Sequence, residues 1–233
     1  MSFEELRRAW DSIESRFMAS RPMRRLSEGP IGVEHYASYL RETYFYTREN
    51  PQIQATATAG FRGSDREMVK PFLRHALSEV GHDHMALADM ATLGWDVSAI
   101  PDQSPLPTTI PLISFPYYAI QHRSPISYLG YLFFLEFLPT SRGNDIASRL
   151  AQLGVPKAAM TFLIEHQNVD VHHNRFMELY AERMLKTPQA VAEVVYAMEV
   201  AGRLYANMIE GAFDEAGRLG GATRQAEAAR AVA

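Results

Sequence analysis

Apolar residues recur along this chain mostly every third or fourth position, whereas alternating runs bounded by turn residues are scarce. This spacing places apolar side chains on one face of an α-helix and differs from the two-residue period of a strand. The sequence therefore predicts an all-α protein. Residues typical of helix ends divide the pattern into seven or eight helices, at about 3–19, 32–60, 65–93, 112–122, 125–138, 144–153, 156–185 and 188–216.

Two local signals refine the predicted helices. Pro51 predicts a kink or break in the second helix, because proline lacks the amide hydrogen of a helix interior. Ser64 followed by Glu67 is typical of a capping box at the start of the third. The last residues are small and polar, with little to bury. We predict one helical domain over residues 1–217 and a flexible C-terminal tail over residues 218–233.

Composition and charge exclude several classes of function. The formal charge is −4 and neither sign runs in a block, so we expect no nucleic-acid partner. The absence of cysteine excludes disulfides, thiolate metal sites and a cysteine nucleophile. No apolar run reaches the roughly 20 residues of a membrane span, and the N-terminus lacks the apolar core of a signal peptide. We therefore expect a cytoplasmic protein without a membrane partner.

The chain has eight histidines, and several lie among carboxylates at helical spacing. His166, Asp170 and His173 occupy positions i, i+4 and i+7 of one predicted helix. At about 100° per residue, the three side chains fall within roughly 60° of one another. They can therefore point at one centre. A solvated stripe or a hydrogen-bonded pair is the structural alternative for this set.

Two further helices offer carboxylates. Glu79 and His82 have the i, i+3 spacing with which carboxylate-bridged di-iron proteins bind metal inside helix bundles, although surface neighbours share this spacing. Glu136 lies in the apolar stretch YLGYLFFLEFLP, so its carboxylate needs a partner, and a metal ion is the strongest one available. Glu42 and Glu49 of the second helix are further candidates.

The sequence leaves the partner of Glu136 and the roles of two histidines open. Glu136 could instead form an ion pair with Arg123 or Arg142. His75 lies one turn before the Glu79 position and could serve the same centre, whereas His84 falls on another face. The clusters nevertheless fit a single site for two metal ions, and oxygen plus imidazole ligands without thiolate suit iron, with manganese as the alternative.

These residues resemble a known family, the haem-oxygenase-like di-iron oxidases and oxygenases, whose scaffold is shared with thiaminase II and pyrroloquinoline-quinone synthase. The resemblance rests on RETYFYTREN, HALSEVGHDHMALADMATLG, Glu136 and HQNVDVHH. It implies a haem-oxygenase-like helical bundle and two Fe(II) ions. The implied iron ligands, catalytic through the metal centre, are Glu79, His82, Glu136, His166, Asp170 and His173. Glu42 is the implied extra carboxylate, and Glu49 competes with it.

The resemblance also implies an activity. Two Fe(II) ions would activate O2, with electrons from an external donor, to oxidise a small amine, amino acid or carboxylic acid in the biosynthesis of a specialised metabolite. N-oxygenation and oxidative C–C cleavage are the implied outcomes. We expect the substrate pocket to include Tyr46, Arg48, Tyr128 and Tyr205. A homodimer is the candidate assembly.

The relatives on this scaffold leave one competing function. A thiaminase II mechanism uses a cysteine nucleophile, which this chain lacks. Haem oxygenases bind the haem iron through one early histidine, for which His35 is the candidate. A metal-independent oxidase resembling pyrroloquinoline-quinone synthase, or a small-molecule binding module on the same fold, remains the alternative to the di-iron enzyme.

Overall fold

The computed structural model describes the backbone of residues 2–231 and the side chains of residues 4–165 and 176–217. All regular structure within these residues is helical, which confirms the predicted all-α class. None of the described helices combines the length and hydrophobicity that a membrane span needs. The α-helices are α1 (Ser2–Met18), α2 (Arg21–Glu28), α3 (Val33–Thr47), α4 (Asn50–Ala59), α5 (Val69–Glu79), α6 (His82–Thr92), α7 (Ile110–His122), α8 (Tyr128–Gln152), α9 (Thr161–Met184) and α10 (Pro188–Ala231).

Two of the predicted long helices are each divided in the structure. The second breaks between α3 and α4, just before Pro51, as its proline predicted. The third breaks at Gly81, between α5 and α6. Residues Gly63–Met68 form a 3-10 helix, so Ser64 does not begin an α-helix. Helix α2 was not predicted, and two predicted helices are joined in α8, so the described residues form ten α-helical segments instead of seven or eight.

Helix α8 forms the centre of the core, and its length shows that a predicted break near Pro139 was wrong. Two helices were expected over residues 125–138 and 144–153, but α8 is continuous through Pro139. The hydroxyl of Thr140 donates to the carbonyl of Glu136, and the hydroxyl of Ser141 donates to that of Leu138. Neither bond reaches the carbonyl of Leu135, which is the one that Pro139 leaves without an amide donor. Packing of the apolar residues of α8 therefore outweighs the local tendency of proline to end a helix.

The bundle packs around α8 and α10. Helix α10 contacts α8, α3 and α1, while α8 also contacts α9, and α3 contacts α6. The two central helices approach closely at Gly130, where an added Cβ would lie 2.2 Å from the carbonyl oxygen of Val194. Only a residue without a side chain fits there. The close approach places the middle of α8 deep inside the bundle.

Asp89 of α6 fixes the start of α9. Its carboxylate is 1% exposed and accepts hydrogen bonds from the backbone amides of Thr161 and Phe162, at 3.0 and 2.9 Å. The Thr161 hydroxyl donates to it as well, at 2.6 Å. These amides belong to the first turn of α9, where no carbonyl is available to accept from them. A buried side chain from another helix therefore caps α9 and sets its position.

We predict that Asp89→Ala lowers the free energy of unfolding by about 1–3 kcal/mol, because it removes a buried helix cap and leaves two amides unsatisfied. Denaturation with urea, followed by circular dichroism, measures this change. Asp145→Ala is the control, since the Asp145 side chain is 71% exposed, and it should cost less than about 0.5 kcal/mol. Equal losses in the two variants would show that the cap does not fix α9.

Candidate metal centre

Three side chains from two helices meet inside the bundle. His75 and Glu79 lie one turn apart on α5, and Glu136 faces them from α8. The Nε2 atom of His75 is 3.6 Å from Oε1 of Glu136 and 3.8 Å from Oε1 of Glu79. One ligand atom from each residue lies within 4.8 Å of the other two. Among the described residues, this is the group of His and carboxylate side chains that could hold a metal ion.

The three side chains are buried, and this determines how strongly a charge in the group is stabilised. The exposed fractions are 0% for His75, 5% for Glu79 and 7% for Glu136. Two carboxyl groups in an apolar interior have lost their hydration, so a cation between them would be a strong partner. A divalent metal ion supplies that charge without requiring a proton on either oxygen.

Residues of α9 orient the imidazole of His75. The rings of Phe176 and His75 are stacked, with centroids 5.3 Å apart, and the Tyr180 hydroxyl lies 3.4 Å from Nδ1. Burial and the nearby Glu136 raise the pKa of Tyr180, so its phenol stays neutral. With Nδ1 facing the phenol, Nε2 faces the two carboxylates. This is how protein histidines are held for metal binding, with the second ring nitrogen hydrogen-bonded.

His82 contacts Glu79 of this group, although the two residues do not lie on the same helix. Its Nδ1 atom is 3.2 Å from Oε2 of Glu79, yet Glu79 is the last residue of α5 and His82 is the first of α6. Gly81 between the helices has a φ of +97°, a left-handed conformation that favours glycine. The expected Glu79 and His82 pair is therefore close in space, across a helix break instead of along one helix.

The third predicted cluster, His166, Asp170 and His173, lies outside the residues whose side chains the structure describes. Described residues on either side show where α9 runs. Leu163 lines the cavity next to Glu79 and Glu136, and Phe176 stacks on the imidazole of the site.

The structure places Glu42 outside this group. Its buried carboxylate accepts hydrogen bonds from the backbone amide of Leu106 at 2.9 Å and from the hydroxyl of Thr109, and it also pairs with Arg41. These contacts hold the connection before α7 against α3. Both oxygens are thus engaged in a structural role. Glu49, the competing candidate, pairs with Arg48 and is only partly buried.

The two arginines considered as partners of Glu136 form ion pairs on other helices. Arg123 pairs with Glu193 on α10, at 2.7 Å. Arg142 pairs with Glu14 on α1, at 2.9 Å. Neither arginine is therefore placed as the partner of Glu136.

His35, the candidate haem ligand, lies at the start of α3. Its Nδ1 atom accepts a hydrogen bond from the backbone amide of Gly32 at 3.0 Å. This amide precedes the first turn of the helix, so the imidazole ring caps the start of α3. The observed role of His35 is thus structural.

The sequence did not decide whether His75 belongs to the site, and the structure places it in the group with Glu79 and Glu136. Its i, i+4 spacing to Glu79 was the available signal, but exposed helix neighbours share that spacing. Phe72 and Ala76, which share its buried face, are apolar, and this apolar context distinguishes it from a surface pair.

A cavity of about 100 Å³ opens against Glu79 and Glu136. Tyr46 and Tyr205 line it, as expected, whereas Arg48 and Tyr128 are not among its lining residues. The hydroxyls of Tyr39 and Tyr205 are hydrogen-bonded at 2.7 Å. Burial raises the pKa of Tyr39, Tyr46 and Tyr205, so these phenols are neutral. The site therefore adjoins a cavity that is lined in part by neutral hydrogen-bonding groups.

Comparison with known proteins identifies related sequences and structures. Residues 37–206 match the model of a family described as iron-containing redox enzymes. No curated protein matches the chain. A domain of unknown function with a haem-oxygenase-like fold, from Shewanella denitrificans, is 26% identical, with a TM-score of 0.83 over 92% of this chain and 93% of that one.

Two TenA homologues share the fold at lower identity. The one from Pseudomonas syringae is 13% identical, with a TM-score of 0.73 over 91% of this chain and 92% of that one. The one from Pyrococcus furiosus is 12% identical, with a TM-score of 0.65 over 91% and 100%. Together with the Shewanella structure, they confirm the predicted haem-oxygenase-like bundle.

We predict that Gly81→Ala lowers the free energy of unfolding by about 1 kcal/mol or more, because alanine is strained at this positive φ. Thermal and urea denaturation measure the change. Gly217→Ala is the matched control in an exposed part of α10, where an added Cβ meets no atom within 4 Å. It should stabilise the protein by up to about 1 kcal/mol through helix propensity. Stabilisation by both substitutions would contradict a required left-handed residue between α5 and α6.

Proposed function

Since this chain belongs to the family of iron-containing redox enzymes, we propose that it is an O2-dependent non-haem di-iron oxidase or oxygenase. Its substrate is a small amine, amino acid or carboxylic acid, and its reaction is N-oxygenation or oxidative C–C cleavage in specialised metabolism. An external donor supplies electrons, and the candidate assembly is a homodimer. The observation that carries this proposal is the buried group of His75, Glu79 and Glu136.

The donor set fits iron. Imidazole nitrogen and carboxylate oxygen without thiolate are typical ligands of non-haem iron, and the absence of cysteine leaves no competing soft ligand. His75, Glu79 and Glu136 would hold one ion, and His82 lies against the second oxygen of Glu79. The α9 residues predicted from sequence, His166, Asp170 and His173, would complete a site for two. Bound there, iron supplies the reductive activation of O2.

The surrounding residues prepare the site for this chemistry. Tyr180 holds the imidazole of His75 with Nε2 towards the carboxylates. Asp89 fixes the start of the helix that carries the α9 candidates. Glu79 and Glu136 are buried beside a cavity whose lining is mostly apolar and aromatic, and burial strengthens electrostatic interactions there.

We predict that anaerobic titration with Fe(II) gives about two ions per chain and that exposure to O2 then consumes oxygen and changes the visible absorbance. Glu136→Gln and His75→Ala should each lose at least one ion, because each removes a ligand from the buried group. His84→Ala is the control, since the His84 side chain is 76% exposed, and it should bind iron as the native chain does. His173→Ala tests the α9 cluster in the same titration.

The variant Glu42→Gln distinguishes two hypotheses about Glu42, which the family resemblance makes an iron ligand and the observed contacts make a structural residue. Because Glu42 holds Leu106 and Thr109, we expect this variant to lose stability but to keep its iron stoichiometry. Loss of iron in Glu42→Gln would return this residue to the ligand set. If the native chain neither binds iron nor consumes O2, the metal-independent oxidase or binding module takes the place of the di-iron enzyme.

A further inference from the structure

Helix α2 separates the cavity beside the glutamates from solvent. Met23 and Leu26, on the inner side of the helix, line the cavity. Arg21 and Arg24, on its outer side, are exposed. With 8 residues, α2 is the shortest of the described α-helices, and it forms a single layer at this part of the cavity wall. The path from solvent to the cavity is therefore short here.

Two short connections join α2 to the helices before and after it. Ala19 and Ser20 link it to α1, and residues 29–32 link it to α3. Hinges in proteins are usually a few residues of this kind, at the ends of secondary-structure elements, which absorb the change in backbone angles. A rotation about these two connections would move α2 as a unit and leave α1 and α3 in place.

Few apolar side chains hold α2 against the bundle. The buried residues of this helix are Pro22, Met23 and Leu26. The Nε atom of Arg149 on α8 adds a hydrogen bond to the carbonyl oxygen of Leu26, at 2.8 Å. Elements with little buried apolar surface open locally at a lower free energy than the whole domain unfolds. Opening of α2 alone therefore costs less than unfolding of the bundle.

Ion pairs to α10 supply the other main contacts of α2. The Nη1 atom of Arg25 is 2.7 Å from Oε1 of Glu210 and 2.7 Å from Oδ1 of Asp214. Nη1 of Arg21 is 3.1 Å from the same Glu210 oxygen. The side chains of Arg25 and Glu210 are 25% and 17% exposed, so salt screens their pair only in part. We call these three ion pairs the latch, because they join α2 directly to α10.

We propose that α2 is the gate through which small molecules enter the cavity beside the candidate metal centre, and that the latch holds this gate closed. In the closed state, which the structure shows, Met23 and Leu26 complete the cavity wall. In the open state, α2 turns away from α10, the ion pairs of Arg25 are broken and the cavity is continuous with solvent. The gate controls entry, so it does not depend on the reaction that the site performs.

The absence of cysteine allows a direct test, because a single introduced thiol reports when a reagent reaches it. Leu138→Cys places the thiol in the cavity lining on α8, at a side chain that is 6% exposed. Leu112→Cys places it in the core on α7, at a side chain that is 0% exposed and does not line the cavity. Mass spectrometry follows the labelling of each metal-free protein by methyl methanethiosulfonate. When closing is faster than labelling, the labelling rate is proportional to the population of the open state.

Arg25→Gln should speed the labelling of Leu138→Cys about fivefold or more and leave that of Leu112→Cys within about twofold, because it opens α2 without unfolding the bundle. Arg203→Gln is the matched control, since Arg203 pairs with Glu199 at an exposed position of α10, and it should change neither rate. Raising NaCl from about 0.05 M to about 1 M should also speed the labelling of Leu138→Cys, and less so once Arg25 is replaced.

Two results would overturn the proposal. Equal acceleration at Leu138→Cys and Leu112→Cys would show that the bundle opens as a whole, and unchanged labelling in Arg25→Gln would show that entry does not pass α2. Asp214→Asn replaces Arg25→Gln, and Ile209→Cys replaces Leu138→Cys, if circular dichroism shows that the first choice does not fold. Since the labelling uses metal-free protein, the gate and the proposed di-iron function can fail separately.

Discussion

Two carboxylates buried beside an imidazole are the feature on which the organisation of this bundle depends. Glu79 and Glu136 have lost most of their hydration, so their polar atoms depend on partners inside the protein, among which are the imidazoles of His75 and His82. A cation bound between such groups would couple metal binding to the stability of the fold. The large apolar core along α8 and α10 offsets the cost of burying these groups. The protein thus places a group of candidate metal ligands inside a stable apolar scaffold.

The break at Gly81 links the ligands to the rest of the fold. It ends α5 directly after Glu79 and begins α6 at His82, so both residues lie at helix ends and can approach each other. Helix α6 then carries Asp89, whose carboxylate caps α9. A short path therefore runs from one metal-ligand candidate to the helix that carries the His166, Asp170 and His173 cluster. A change in the direction of α6 would alter both.

The sequence predicts that the site consists of histidine and carboxylate side chains around Glu136, but it does not predict which other residues belong to it. Glu136 was identifiable because a single carboxylate in an apolar stretch has to be buried. The position of Glu42 was not, because its partners Leu106 and Thr109 are 64 and 67 residues away and no local pattern reports them. Pro139 misled the helix prediction because the tertiary packing of α8 outweighs its local effect. These failures share a cause, which is that the deciding contacts lie far away in the sequence.

Helix α8 connects chemistry and specificity in one element. Glu136 projects from it towards His75 and Glu79, while Leu138, Ile146 and Leu150 line the cavity beside this group. A molecule bound in the cavity would displace water from the neighbourhood of the carboxylates, and a lower local dielectric constant strengthens the interactions of charged groups. Because one helix carries both Glu136 and part of the cavity wall, a change in the position of α8 would alter the candidate metal centre and the cavity together.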